Sequence, residues 1–183
     1  MDDLFDDITS FARVGESAPD FDVEGLDTDG EFKRFSLKDQ RGRWIILFFY
    51  PLDFTFVCPT EITAFSERIN EFKELDAVIF GCSTDSVHSH KAWMKGLGTL
   101  NYALLSDMTH DVSADYGVLI PDEGVALRGT FIIDPEGVLR YSQVNDLAIG
   151  RSVDETLRVL NALQTGELCP VNWNKGQGTL GKA

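Results

Sequence analysis

A dense apolar run, residues 44–49, limits the folds open to this chain more than any other stretch. Six successive residues of this kind, rich in aromatic and β-branched side chains, predict a buried strand. Pro51 follows in a turn, and Pro59 suits the first turn of a helix, where a missing N–H needs no partner. A helix that opens at Cys58 places the sulfur at the positive end of the helix dipole, where a thiolate is favoured. The stretch therefore predicts a strand, a turn and a helix that begins with an activated thiol.

The alternative interpretation of Cys58 is a small buried apolar residue, because most free cysteines are of that kind. The other two cysteines, Cys82 and Cys169, are distant in sequence, and no Cys-x-x-Cys pair is present. Such a set predicts neither a disulfide-stapled secreted scaffold nor a structural zinc site. Cys82 ends a second apolar run, residues 77–82, and is predicted to pack in the core.

Composition indicates an ordinary globular protein with one domain's length of chain. The sequence has 183 residues, of which 43% are hydrophobic, enough for a buried core. No apolar run approaches the ~20 residues of a membrane span. The acidic N-terminus lacks the basic start and apolar centre of a secretory signal, so we expect a cytoplasmic protein. The net charge of −14 argues against nucleic acid or an anionic membrane surface as a partner.

Strand and helix patterns alternate along the chain and predict an α/β fold with a largely mixed sheet. Residues 1–12 predict an acidic N-terminal extension. His88 and His90 are two residues apart on a predicted helix, so they point to different faces and do not predict a metal pair. Turn and capping signals delimit the predicted strands near 21–24, 31–36, 44–49, 77–82, 128–133 and 138–144, and helices over 58–75, 111–116 and 152–164.

Pro51, Thr55 and Cys58 form the pattern Pro-x-x-x-Thr-x-x-Cys. This pattern resembles the active-site signature of the peroxiredoxin family. The neighbouring Phe-Thr-Phe-Val-Cys-Pro-Thr-Glu is similar to the typical two-cysteine branch, which includes thioredoxin peroxidases and the peroxidase component of bacterial alkyl hydroperoxide reductase. The resemblance covers about residues 13–175 and favours the catalytic interpretation of Cys58 over the core one.

The resemblance implies a role for each residue that matches the motif. Cys58 would be the peroxidatic cysteine, whose thiolate attacks a peroxide and becomes a sulfenic acid. Thr55 and Arg128 would hold the two peroxide oxygens. Pro51 would shield the sulfur from water, and Glu61 would orient the arginine. A solvated surface arginine is the alternative interpretation of Arg128. No metal or organic cofactor is implied, because the cysteine itself carries the redox chemistry.

The resemblance also implies a thioredoxin-like domain over residues 13–166 and a C-terminal arm over residues 167–183. Cys169, within Glu-Leu-Cys-Pro-Val-Asn-Trp, resembles the resolving cysteine of the two-cysteine branch; the alternative is an incidental tail cysteine. In that branch the resolving thiol comes from the other subunit. This implies an interchain disulfide, a homodimer, assembly into a decamer, and recycling by thioredoxin or a dedicated disulfide reductase.

One departure from the eukaryotic members of the branch concerns over-oxidation. Those proteins combine a Gly-Gly-Leu-Gly loop with a C-terminal Tyr-Phe helix. Here the loop reads Lys-Gly-Leu-Gly over residues 95–98, and the sequence ends at Ala183 without Tyr-Phe. We therefore expect an enzyme that resists over-oxidation.

Two other functions stay open beside the peroxidase. A holdase-type chaperone ring is compatible with the assembly, although no residue pattern argues for it. A thioredoxin-like disulfide oxidoreductase is disfavoured because the chain lacks a Cys-x-x-Cys pair.

Overall fold

The fold is known from a computed structural model that describes residues 11–182, so residues 1–10 of the predicted N-terminal extension lie outside the described range. Most strands belong to one central sheet, and two short ones form a separate hairpin. The strands are β1 (Asp22–Leu26), β2 (Phe32–Ser36), β3 (Trp44–Phe49), β4 (Ala77–Ser83), β5 (Ala103–Ser106), β6 (Leu119–Ile120), β7 (Val125–Ala126), β8 (Arg128–Ile133) and β9 (Leu139–Asn145).

Helices lie on both faces of the sheet. The part of the chain that the structure describes contains no helix with the length and apolar character to cross a membrane. A 3-10 turn covers Lys38–Gln40. The α-helices are α1 (Cys58–Glu67), α2 (Ile69–Glu74), α3 (Val87–Leu97), α4 (Asp111–Asp115) and α5 (Val153–Gln164).

The central sheet has seven strands in the order β2-β1-β5-β4-β3-β8-β9. The three inner strands β5, β4 and β3 are parallel, and every other neighbouring pair is antiparallel. The predicted mixed α/β sheet is therefore confirmed. The apolar run of residues 44–49 is β3, which lies between β4 and β8 and is buried along almost its whole length.

Side chains alternate across β3 and so contribute to two cores, one on each face of the sheet. On one face the rings of Phe48 and Phe65 of α1 stack with centroids 4.7 Å apart. On the other face Phe49 meets Phe131 edge to face at 5.7 Å. Because both faces are covered, the end of β3 is held rigidly where the chain turns toward Cys58.

The helix predicted over residues 58–75 is interrupted at Arg68, so that prediction is wrong in its continuity. The backbone of Arg68 leaves the helical region, with φ −100° and ψ 15°. The carbonyl of Ser66 accepts a hydrogen bond from the Asn101 side chain at 3.2 Å, and Asn101 also binds the Ser66 hydroxyl. The Ser66 carbonyl also accepts from the N–H of Arg68, so a short turn and a distant side chain both bind it at the point where the helix divides into α1 and α2.

The described part of the predicted C-terminal arm, residues 167–182, folds back beside α5. Trp173 is buried, and its carbonyl accepts a hydrogen bond from Arg158 of α5 at 3.0 Å. The N–H of Leu168 donates to the carbonyl of Gly181 at 2.8 Å, which closes the segment into a loop. Cys169 is therefore held near the C-terminal end of α5.

Candidate active site

The Cys58 turn, residues 51–57, connects the end of β3 to the start of α1. The N–H of Thr60 donates to the carbonyl of Val57 at 3.0 Å, so the helix begins directly at the cysteine, as predicted. Phe54 has a positive φ of 57°, which lets the chain reverse sharply between strand and helix. The Cys58 side chain is completely buried at the first helical turn, where the helix dipole favours an anion.

Arg128 reaches the thiol from the neighbouring strand. Phe48 of β3 pairs with Thr130 of the antiparallel β8, so the start of β8 lies beside the end of β3. Arg128 Nη1 lies 3.4 Å from the Sγ of Cys58, and its Nε donates to the carbonyl of Leu147 at 2.8 Å. The arginine is buried, so the alternative of a solvated surface arginine is wrong.

Glu61 joins Arg128 to a second buried arginine, Arg151. One carboxylate oxygen of Glu61 accepts from Arg128 Nη1 at 2.6 Å, and the other accepts from Arg151 Nε at 2.8 Å. Glu61 follows Cys58 by three residues and therefore lies on the same side of α1. Its position is that expected of a group that orients Arg128.

Arg151 is a site residue that the sequence analysis did not identify. Its guanidinium also donates to the carbonyls of Phe49 and Gly129 at 2.7 and 2.8 Å, tying the ends of β3 and β8 together. Burial lowers the pKa of Arg151 below its ordinary value, while the hydrogen bonds to Glu61 act in the opposite direction. An arginine directly before a helix-capping serine carries no local signal of burial, so no pattern in the sequence could have marked it.

The remaining motif residues lie in the Cys58 turn. Pro51 is buried at the end of β3. The Thr55 hydroxyl donates to the carbonyl of Leu52 at 3.0 Å. Among residues 11–182 no hydrogen bond joins Thr55 to Cys58 or to Arg128, so the geometry brings Cys58, Arg128 and Glu61 together but leaves the Thr55 hydroxyl turned to its own backbone.

Comparison with known proteins gives this arrangement a family. The sequence model described as the AhpC/TSA family matches residues 14–142. The chain belongs to that family. It is 52% identical to peroxiredoxin prdx-2 of Caenorhabditis elegans over 181 residues, which cover 93% of this chain and 90% of the relative.

Solved structures agree with the family. The reduced 2-Cys peroxiredoxin of Plasmodium vivax is similar with a TM-score of 0.88 and 44% identity, covering 90% of this chain and 91% of that one. Thioredoxin peroxidase I of Plasmodium yoelii is similar with a TM-score of 0.79 and 42% identity, covering 90% and 100%. The fold is thus the thioredoxin-like fold of peroxiredoxins, and the protein is a thiol-dependent peroxidase, an oxidoreductase.

The other two cysteines of this peroxiredoxin lie apart from the site. Cys82 is buried in β4, opposite Phe49, and burial raises the pKa of its thiol well above the ordinary value. Cys82 therefore packs in the core, as predicted. Cys169 is partly exposed, with Sγ 3.5 Å from the hydroxyl of Thr165. All three thiols are free, and the fold of one chain does not join Cys58 to Cys169.

Proposed function

We propose that this peroxiredoxin reduces hydrogen peroxide and alkyl hydroperoxides with Cys58 as the peroxidatic cysteine. The observation that carries the proposal is the 3.4 Å contact between Arg128 Nη1 and the buried Sγ of Cys58 at a helix N-terminus. A guanidinium and a helix dipole both favour the thiolate, which is the nucleophilic form.

The charges of the buried cluster support the same role. Arg128 and Arg151 each contribute one positive charge, and Glu61 contributes one negative charge. With a neutral thiol the cluster carries one unbalanced positive charge away from water, which is costly. With Cys58 as a thiolate the charges balance, so the cluster favours the reactive form.

In the proposed reaction the thiolate attacks the nearer peroxide oxygen, and the oxygen–oxygen bond breaks. The attacked oxygen stays on sulfur as a sulfenic acid, and the other oxygen takes up a proton and leaves as water or an alcohol. Arg128 stabilises the charge that moves onto the leaving oxygen, and Glu61 holds Arg128 in place. Pro51 shields the sulfur, and Thr55 binds the peroxide once its hydroxyl turns from Leu52.

Cys169 of a second subunit is the proposed resolving thiol. Its sulfur attacks the sulfenic acid, water leaves, and an interchain disulfide forms. The proposed active unit is therefore a homodimer, and we extend this to a decamer. Since the chain is similar to a thioredoxin peroxidase, a thioredoxin-type protein or a dedicated disulfide reductase is the proposed reductant. The proposed location is the cytoplasm, since three widely spaced cysteines do not make a disulfide-stapled secreted scaffold.

The proposal is tested by adding one equivalent of hydrogen peroxide to the reduced protein and following non-reducing gels and intact mass. We expect a species of twice the chain mass that is absent in both Cys58→Ser and Cys169→Ser. Cys82→Ser is the matched control and should still form it. Peroxide turnover by Cys58→Ser would refute the role of Cys58. A monomeric product with one added oxygen would refute the resolving role of Cys169.

A further inference from the structure

A buried polar cluster that the proposed chemistry does not use lies beside the Cys58 turn. It consists of Tyr50 at the end of β3, Asp53 in the turn and His90 of α3. The side chains of Asp53 and His90 are completely inaccessible to solvent, and Tyr50 is also buried. Burial of an acidic side chain and an imidazole costs free energy unless both are fully hydrogen-bonded. The hydrogen bonds of these side chains therefore indicate what the cluster does.

The two ring nitrogens of His90 both face acceptors. Nε2 lies 3.1 Å from the carbonyl oxygen of Leu105 in β5, and a carbonyl can only accept. Nδ1 lies 2.8 Å from Oδ2 of Asp53. The Tyr50 hydroxyl donates to the other oxygen, Oδ1, at 2.9 Å and lies 3.4 Å from His90 Nδ1. His90 thus joins the turn, through Asp53, to β5.

The main chain of Asp53 is held as well. Its N–H donates to Oδ2 of Asp85 at 2.7 Å, and the Ser83 hydroxyl, at the end of β4, donates to the same oxygen at 3.2 Å. The side chain of Asp53 is thus bound to α3 and to the residue after β3, and its backbone is bound to the segment that follows β4. Asp53 therefore fixes the turn to the elements beside it.

Within one chain, the two phenylalanines of the turn are largely exposed. Phe54 is 64% exposed and Phe56 is 96% exposed, although Phe54 lies against Trp93 of α3 with ring centroids 6.0 Å apart. Cys58, which follows Asp53 by five residues, is by contrast completely buried. A small peroxide can reach a buried sulfur through local motion. A cysteine side chain carried on the backbone of another subunit cannot, so the turn has to open before the interchain disulfide forms.

We propose that Tyr50, Asp53 and His90 form a latch that positions the Cys58 turn and sets how readily it opens. The inference rests on the proposed thiol mechanism and adds residues to it. With the latch closed, Cys58 stays against Arg128 and a second peroxide can oxidise the sulfenic acid to sulfinic acid. With the latch open, the sulfenic acid reaches the resolving thiol. The latch therefore determines the ratio of sulfinic acid to disulfide.

Two substitutions of His90 separate the two hydrogen bonds of the imidazole. In His90→Asn the side-chain amide occupies the place of Nδ1 and still donates to Asp53. In His90→Gln the longer side chain reaches Leu105 but loses the bond to Asp53. Loss of one buried hydrogen bond corresponds to as much as about a tenfold change in an equilibrium. Both variants replace the imidazole ring by a neutral amide, so they differ mainly in which of the two hydrogen bonds is kept.

The experiment treats reduced wild type and both variants with a series of hydrogen peroxide concentrations and measures disulfide and sulfinic acid by intact mass. We expect the ratio of sulfinic acid to disulfide to fall about tenfold in His90→Gln and to stay near the wild-type ratio in His90→Asn. A purely structural role for His90 would lower the melting temperature of both variants without separating their ratios. Equal ratios in wild type and His90→Gln would overturn the proposal.

Tyr50→Phe provides a second variant that does not depend on how His90 variants fold. It removes only the hydroxyl that donates to Asp53, and we expect the ratio to fall by about threefold to tenfold, the range for one lost hydrogen bond. An unchanged ratio in Tyr50→Phe would also overturn the latch. Failure of the underlying mechanism looks different: wild type itself would then form no interchain disulfide.

Discussion

Replacement of Arg151 by methionine tests the buried charge cluster most directly. The guanidinium binds Glu61 through two nitrogens and the carbonyls of Phe49 and Gly129, and it lies over the ring of Phe48 at 5.0 Å. Methionine keeps much of the apolar stem but donates nothing. The variant therefore leaves two carbonyls without their donors and Glu61 with one cation instead of two.

The magnitude follows from the burial of the pair. The side chains of Arg151 and Glu61 are 1% and 2% exposed, so their interaction is scarcely screened by solvent. Removal of one partner from a buried ion pair costs about 3–5 kcal/mol of unfolding free energy. For a chain of this length each kcal/mol shifts the melting temperature by about 2–4 °C, so we expect a fall of roughly 10 °C.

The assays are urea unfolding, which gives the free energy, and thermal unfolding, which gives the melting temperature. Both are followed by tryptophan fluorescence at one fixed protein concentration, because assembly makes stability depend on concentration. Arg34→Met is the matched control. Arg34 pairs with Asp22 at 2.9 Å, but both side chains are about two-thirds exposed, and such a pair contributes less than about 1 kcal/mol. If Arg151→Met loses no more free energy than Arg34→Met, the reasoning about the cluster is wrong.

Three further predictions concern single residues. Thr55→Val should lower the initial rate of peroxide consumption at least about tenfold, as expected for a lost transition-state donor; an unchanged rate would remove Thr55 from the mechanism. Burial raises the pKa of Asp85 above its ordinary value, so ionisation disfavours the folded state as pH rises. Asp85→Asn should therefore gain stability over wild type in urea unfolding at pH 7 and lose that advantage toward pH 3. Iodoacetamide should label Cys169 and spare Cys82 in the folded, reduced protein; equal labelling would contradict the buried core position of Cys82.

The sequence correctly predicted those strands and helix starts that depend on residues close together in the chain. The apolar run of residues 44–49 is a strand because its own composition requires burial, and α1 begins at Cys58 because Pro59 suits a first helical turn. The break at Arg68 was not predictable in this way. It depends on Asn101, which lies 35 residues beyond Ser66 in sequence and reaches it only in the folded chain.

The residues of the site fall into the same two groups: those that the neighbouring sequence predicts, and those that come together only in the folded chain. Cys58 and Glu61 belong to one helical turn, and the motif carries them. Arg151 and His90 contact the site from segments far along the chain, 90 residues beyond Glu61 and 37 beyond Asp53. The burial of these two side chains results from the pairing of strands and the packing of helices. The residue type alone, a single arginine or histidine, does not predict that burial. Thr55 is the reverse case, since the motif marks it while its hydroxyl binds Leu52.

Two buried acidic side chains, Asp53 and Glu61, lie on either side of Cys58 in the sequence. They are held by different partners, and this difference bears on how the Cys58 turn opens. Glu61, three residues after the cysteine, binds two arginines, whereas Asp53, five residues before it, binds the His90 ring and a tyrosine hydroxyl. Release of Glu61 would leave two cations buried without their shared carboxylate, whereas release of Asp53 breaks hydrogen bonds to one histidine and one tyrosine. We therefore expect the turn to open on the Asp53 side. In the proposed mechanism the sulfur then moves outward while the paired arginines stay in place for the next peroxide.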